Sequence, residues 1–380
     1  MLRTTPNIEP DNNGATLMRE TWKKTPAGKT RARGAGVPFQ GVPGANNSIT
    51  DVPGVHVGYT TLIEGDSIRT GVTAILPRSL EKLPLPVFAG CHALNGNGEL
   101  TGTIWMEEAG RCDGPITITN THSCGIARDA TIKWVVDQIH RPGQWALPVA
   151  GETYDGYLND INGFHVKQAH VLAALDEAAN SGLCQPIEEG SVGGGTGMIC
   201  YGYKGGSGTA SRVVETAGLS FTLGAFVQAN FGRPQQLTIA GVPVGRILNE
   251  PSSEDERGSI IGVVATDAPL LPHQLKRLAR RMGLGIGRSG AISGHGSGDI
   301  FMAFTTANEQ VFHDEAKLAS AAFIPDTQLD KLFEAVIEAV DEAIMNALFA
   351  NEPMQGFADH RVDALPVAQV MSLLKIHQAI

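Results

Sequence analysis

Gly258 and Ser259 lie between the polar stretch NEPSSEDER (249–257), which has no aliphatic residue, and the apolar run 260–265. A hydroxyl on the first residue of a buried strand can attack the carbonyl that precedes it when the backbone bends there, and glycine gives the backbone that latitude. Self-cleavage would leave Ser259 with a hydroxyl and a free α-amine. An unperturbed α-amine titrates at about 7.7 to 8.0, so at neutral pH it can take the proton of its own hydroxyl. One residue would then be nucleophile and base for acyl transfer. The same residues also fit a polar surface loop leading into a strand, and composition alone favours that loop.

Other chemistries lack their residues. No serine has the GxSxG spacing of a nucleophile elbow. Gly285, Gly287 and Gly290 spell GxGxxG but follow a helical pattern, which removes the strand that a dinucleotide site requires. His165 and His170 are five apart and share no helical face, so no metal site is expected. No cofactor is expected either, since a serine, its amine and fixed hydrogen-bond donors suffice for acyl transfer.

Composition narrows the class. With 42% hydrophobic and 18% charged residues over 380, the chain is neither disordered nor fibrous. A formal charge of −10 repels phosphate backbones and anionic lipid, so neither nucleic acid nor membrane is an expected partner. Five cysteines, odd in number and without a CxxC pair, read as reduced thiols. No run of about 18 apolar residues and no secretory segment in the first forty residues appear, so cytoplasmic residence is the default expectation.

The elements that must hold the junction can be read in outline. Residues 1–45 are polar and aperiodic, an extended arm that packs where Trp22 or Phe39 finds a groove and whose order depends on a neighbouring subunit. Strand patterns fall at 52–57, 71–76, 86–88, 116–119, 198–203, 219–228, 237–244, 260–265 and 300–305. Helical periodicity falls at 128–140, 164–179, 272–284, 325–350 and 367–376. Strands in groups with helices between the groups predict an α+β layered sandwich in preference to a βαβ repeat.

Seven segments in order add a further signal: ITDVPGVHVG (49–58), HALNGNGELTG (92–102), ETYDGYLNDING (152–163), GTGMICYGYKGGSGTASR (195–212), VQANFG (227–232), RGSIIGVVATDAPL (257–270) and SGHGSGDIF (293–301). Together they resemble the family of L-aminopeptidase D-amidase/D-esterases and β-peptidyl aminopeptidases, whose precursors cleave themselves at a Gly-Ser bond. The resemblance implies a four-layer αββα sandwich like that of N-terminal nucleophile hydrolases, with its own strand connectivity. It also implies an N-terminal arm (1–48) and a single catalytic domain (49–380), cut into 1–258 and 259–380. A homo-tetramer of cleaved protomers is implied too.

Roles follow the matching positions. Ser259 matches the nucleophile freed by cleavage after Gly258. Ser297 and Asp299 match the residues that contact the freed amine, with Gly298 between them beside the substrate. Asn230 matches the oxyanion donor, and Tyr154 a tyrosine that hydrogen-bonds near the scissile group. Glu152 matches the carboxylate that reads the substrate's free amine. Two residues apart on an extended segment, Glu152 and Tyr154 are expected on one side. Trp145 resembles an aromatic residue lining a small side-chain pocket.

Asp299, which is glutamate in β-peptidyl members, and Trp145 together favour the L-aminopeptidase D-amidase branch. Its substrates are small peptides and amino-acid amides or esters with a free N-terminal amine. β-Peptidyl aminopeptidase activity is the alternative within the family. An ornithine acetyltransferase-like acyltransferase shares the fold but uses threonine where Ser259 stands. An uncleaved binding protein would need none of the nucleophile, amine partners and oxyanion donor that are present.

Overall fold

A computed structural model describes residues 19–139, 143–248, 258–313 and 317–380. Two single-turn helices come first, α1 (Glu20–Lys23) and α2 (Ala32–Ala35), followed by the hairpin β1 (His56–Glu64) and β2 (Ile68–Leu76). Next come β3 (Val87–Gly96), α3 (Thr103–Ala109), β4 (Arg111–Cys112), β5 (Ile116–Asn120), α4 (Cys124–Ile139), β6 (Val149–Thr153) and α5 (Gln168–Asn180). Two-residue strands β7 (Ile199–Cys200) and β8 (Tyr203–Lys204) precede the long hairpin β9 (Gly206–Thr216) and β10 (Leu219–Asn230), then α6 (Val244–Leu248). The last part holds β11 (Ser259–Thr266), α7 (Pro272–Arg288), β12 (Gly298–Thr305), α8 (Asp330–Phe349), β13 (Met354–Gln355), β14 (Arg361–Val362) and α9 (Val367–Ile376).

Two sheets form the middle layers. One has the order β1-β2-β5-β6 and the other β4-β3-β12-β11-β10-β9. Helices α4 and α5 cover the first, α7 and α8 the second, which gives the αββα order. Strand alternation explains the layering. In β11, Ile261, Val263 and Ala265 face the core between the sheets, whereas Ile260 and Val264 face the α7/α8 layer. In β12, Ile300, Met302 and Phe304 face inward and Phe301 and Ala303 face the helices. Both strands are buried on both faces, which is where parallel pairs are stable, and they are paired parallel.

Several expected bounds move for physical reasons. Pro53 and Gly54 form a turn, so the first strand begins at His56 and not at 52. The pattern at 237–244 is not a strand. Ile239 and Val242 make one bridge around Ala240 and Gly241, whose φ values of 49° and 80° are left-handed. β9 was not expected because its sequence opens GSGTAS. A Cβ on Gly208 would collide with the Ala343 carbonyl of α8, so small residues are what this close helix–strand packing needs.

Residues 19–48 make close contacts with the rest of their own chain. Trp22 Nε1 donates to Gly44 O at 2.7 Å, Arg31 pairs with Glu189 at 2.7 Å, and Arg33 grips Glu342 of α8 at 2.6 and 2.8 Å. Residues 1–18 and the linker 249–257 lie outside the described residues. No helix among the described residues is long and apolar enough to cross a membrane.

Candidate active site

Parallel pairing of β11 with β12 brings their first residues together, Ser259 opposite Gly298, and antiparallel pairing with β10 sets Asn230 opposite Ser259. Three sequence-distant segments thus meet at one end of the six-stranded sheet. Ser259, Asn230, Ser297 and Asp299 are all buried. The Ser259 hydroxyl donates to its own preceding carbonyl, Gly258 O, at 2.7 Å. That oxygen also accepts the Gly298 N–H at 3.2 Å. Ser297 Oγ donates to Asp299 Oδ1 at 2.7 Å.

Gly258 is needed for room and not for a left-handed backbone, which corrects the reading from its conformational freedom. A Cβ there would lie 2.8 Å from both Asn230 O and Phe231 Cα, and its φ is outside the left-handed range. The Asn230 amide is oriented at both ends. Its Oδ1 accepts the Ile199 N–H at 2.8 Å, and its Nδ2 donates to Tyr154 O at 2.8 Å. An amide nitrogen carries two protons, so one donor remains for an oxyanion.

The second sheet supplies the opposite wall. Gln228, one pleat before Asn230, donates across the core to Thr119 O at 3.0 Å and Thr153 Oγ1 at 2.7 Å, tying β10 to the ends of β5 and β6. Glu152 on β6 is buried and accepts the Glu99 N–H at 2.9 Å. Burial pushes its carboxyl above the usual range, partly offset by hydrogen bonds from Thr121 and Glu99. Tyr154 is exposed, unlike Glu152, because β6 stops at Thr153 and the alternation does not extend one residue further. Tyr154 meets Asn230 through its backbone carbonyl, while its ring lies over Gly156. Trp145 stands apart from this group. It is exposed and meets Trp105 of α3 edge to face, with centroids 6.0 Å apart.

Sequence reasoning gave no role to the loop after β3. A Cβ on Gly98 would lie 3.0 Å from Glu152 Oε1 and 3.5 Å from Gly298 Cα, so this loop sits between the Glu152 carboxylate and the β12 start. Asn97 Nδ2 donates to Gly296 O at 2.9 Å and Asn95 Nδ2 to Ser293 O at 3.3 Å, fixing the turn that carries Ser297. The signal available in sequence was NGNG, two carboxamides spaced by glycines.

Comparison with known proteins shows the family and the fold. The family described as Peptidase family S58 matches residues 47–362. The chain is 50% identical over 369 residues to β-peptidyl aminopeptidase BapA of Sphingosinicella microcystinivorans, covering 91% of this chain and 92% of that protein. It is 41% identical to the BapA of Sphingosinicella xenopeptidilytica, covering 91% of each. Among solved structures, the L-aminopeptidase D-Ala-esterase/amidase of Ochrobactrum anthropi superposes with TM-score 0.87 at 49% identity, over 92% of this chain and 99% of that one. That protein is described as a prototype for the serine aminopeptidases and a variant of the Ntn hydrolase fold. A Burkholderia β-aminopeptidase gives TM-score 0.83 at 45% identity, over 91% and 99%. The chain therefore has the Ntn hydrolase fold and belongs to peptidase family S58, the serine aminopeptidases.

Proposed function

We propose that this aminopeptidase cleaves itself between Gly258 and Ser259 and then removes small N-terminal residues from peptides, amides and esters. The observation that carries the reading is the Gly258 carbonyl, which takes donors from Ser259 Oγ at 2.7 Å and Gly298 N at 3.2 Å. In the self-cleavage, Ser259 Oγ bonds to the Gly258 carbonyl carbon while the C–N bond breaks and the nitrogen gains a proton, giving an ester. Water then splits the ester, releasing the Gly258 carboxylate and leaving Ser259 with a free amine and hydroxyl.

In turnover, the amine takes the Ser259 proton as Oγ attacks the substrate carbonyl, and returns it to the leaving group. Asn230 Nδ2 supports the oxyanion. A carboxylate beside an ammonium raises its pKa, so the role of Asp299, braced by Ser297, is to orient the amine as well as hold it. Glu152 reads the substrate's ammonium and Gly298 borders the substrate.

Overall identity is nearly the same to the β-peptidyl and the L-aminopeptidase D-amidase relatives, 50% and 49%, so the branch is read from Asp299 together with Trp145, which favour L-residues with D-alanine amides and esters. β-Peptidyl hydrolysis is the second reading, favoured by the named relatives. Relative rates on D-alanine amide and a β-alanyl peptide separate them. An odd number of cysteines without a CxxC pair supports a cytoplasmic setting, and the family resemblance supports a homo-tetramer, which light scattering would test.

The deciding experiment is intact mass under denaturing conditions. Self-cleavage divides 380 residues into 258 and 122, fragments of ~27 and ~13 kDa, with a new terminus reading SIIGVV. Ser259→Ala is expected to stay at 40.1 kDa and inactive. A parent protein that is active while intact would overturn the reading.

A further inference from the structure

Lys204 is fully buried in the β7–β8 hairpin and meets no carboxylate among the described residues. Its amine donates to two backbone carbonyls, Met198 O at 2.7 Å and Gly205 O at 2.8 Å. Burial pushes this lysine down to about 7, with Lys29 adding to the push and Cys200 opposing it. An uncharged amine has two N–H donors, and two carbonyls are what it faces. A buried amine without a counter-charge is a costly way to close a hairpin that an apolar side chain could fill.

The hairpin has a task beyond its own closure. Its Ile199 N–H is the donor to Asn230 Oδ1 at 2.8 Å. The two ends of a carboxamide are nearly the same shape but opposite in function, so a fixed donor at Oδ1 keeps nitrogen, and not oxygen, available to a developing oxyanion. The hairpin is also held under strain. Tyr201 at its turn has φ 53°, a left-handed conformation that a bulky residue keeps only where its surroundings compel it. Its N–H donates to Phe231 O at 2.8 Å and its hydroxyl meets Ser289 Oγ at 2.6 Å.

We infer that Lys204 is a positioning residue for acyl transfer: it locks the 198–205 hairpin so that Ile199 N–H holds the Asn230 amide with its nitrogen toward the reacting carbonyl. The inference rests on the reading of Asn230 as oxyanion donor. Removing the amine leaves no orphaned carbonyl, because Gly205 N–H still reaches Met198 O at 2.9 Å and Asn351 Nδ2 still reaches Gly205 O at 2.8 Å. Lys204→Met is therefore expected to fold.

The test compares Lys204→Met, Asn230→Ala and the double variant, each purified as cleaved enzyme, with alanine amide as substrate. Lys204→Met should lower kcat by about tenfold to a hundredfold with KM nearly unchanged, the signature of a misplaced transition-state donor. The double variant should be no slower than Asn230→Ala, because the donor that Lys204 serves is already gone. Lys204→Gln, which keeps a donor, should recover part of the loss, and it carries the comparison if the methionine variant shows no cooperative thermal transition. Where a variant fails to cleave itself, the precursor cleavage rate replaces kcat in the same comparison. Losses that add in the double variant, or an unchanged kcat in Lys204→Met, overturn the inference alone. An Asn230→Ala enzyme as active as the parent overturns the oxyanion reading and this inference with it.

Discussion

Glu152 makes its prediction through its own titration. Burial lifts its carboxyl above the ordinary value, so the folded state holds the proton more tightly than the unfolded chain does. Its stability contribution is therefore present at low pH and lost as pH rises from the ordinary value through the raised one. In the role proposed for Glu152, function runs the other way, since only the carboxylate attracts an ammonium. Activity on free-amine substrates should fall as pH drops through the raised value, and Glu152→Gln should raise KM for them and abolish that acid limb. Equal turnover of N-acetylated substrates by the parent enzyme would sink the assignment. The residue types at 152, 230, 259, 297 and 299 were legible in the sequence through the family's motifs. The Ile199 donor was not, because backbone N–H groups carry no residue signature, and the NGNG of the Gly98 loop carried a signal but no role.

At the level of elements, the site is a product of strand pairing. The parallel β11–β12 pair aligns Ser259 with Gly298, and the antiparallel β10 aligns Asn230, so a one-residue slip would face every one of these side chains the wrong way. Gly258, just before β11, packs closely against the end of β10. Gly258→Ala puts a methyl 2.8 Å from the Asn230 carbonyl and Phe231 Cα, both backbone atoms that cannot step aside. Self-cleavage of that variant should slow by about a hundredfold, the scale of a 1 Å misplacement, and a time course of precursor loss by gel would show it. Helix periodicity was read well at α7, α8 and α9, whose apolar stripes are long. β9 was hidden because close approach to α8 selects glycine, serine and alanine in place of β-branched residues.

The whole molecule is tied together by a buried charge network far from the chemistry. Glu342 of α8 receives Arg33 at 2.6 Å, Arg212 at 2.8 Å and Asn47 Nδ2 at 2.6 Å, linking residues 19–48 to β9 and the outer helix. Burial alone would push its carboxyl up, but the Arg212 and Arg33 guanidiniums outweigh burial and hold it below the usual range. A depressed carboxyl stabilises the fold above its unfolded pKa, and that contribution is lost as pH falls through the folded value. Glu342→Gln leaves the buried Arg33 guanidinium without its carboxylate and Arg212 with Glu338 alone, at 3.2 Å, and should cost about 3 kcal/mol at neutral pH, with a smaller difference from the parent in acid. Denaturant unfolding at two pH values measures both.

Composition and order of residues alone settled the class of the molecule, the layered α+β plan, the family resemblance and the residue most able to act as its own base. These are properties of types, spacings and periodicities, which survive in one dimension. The tertiary structure decided why Gly258 must be glycine, that residues 19–48 belong to the body of the protein, and which backbone groups aim the Asn230 amide. Each of those depends on atoms brought within 3 Å from segments far apart in the chain. No local pattern records such proximity, because it exists only once two sheets and two helix layers have packed.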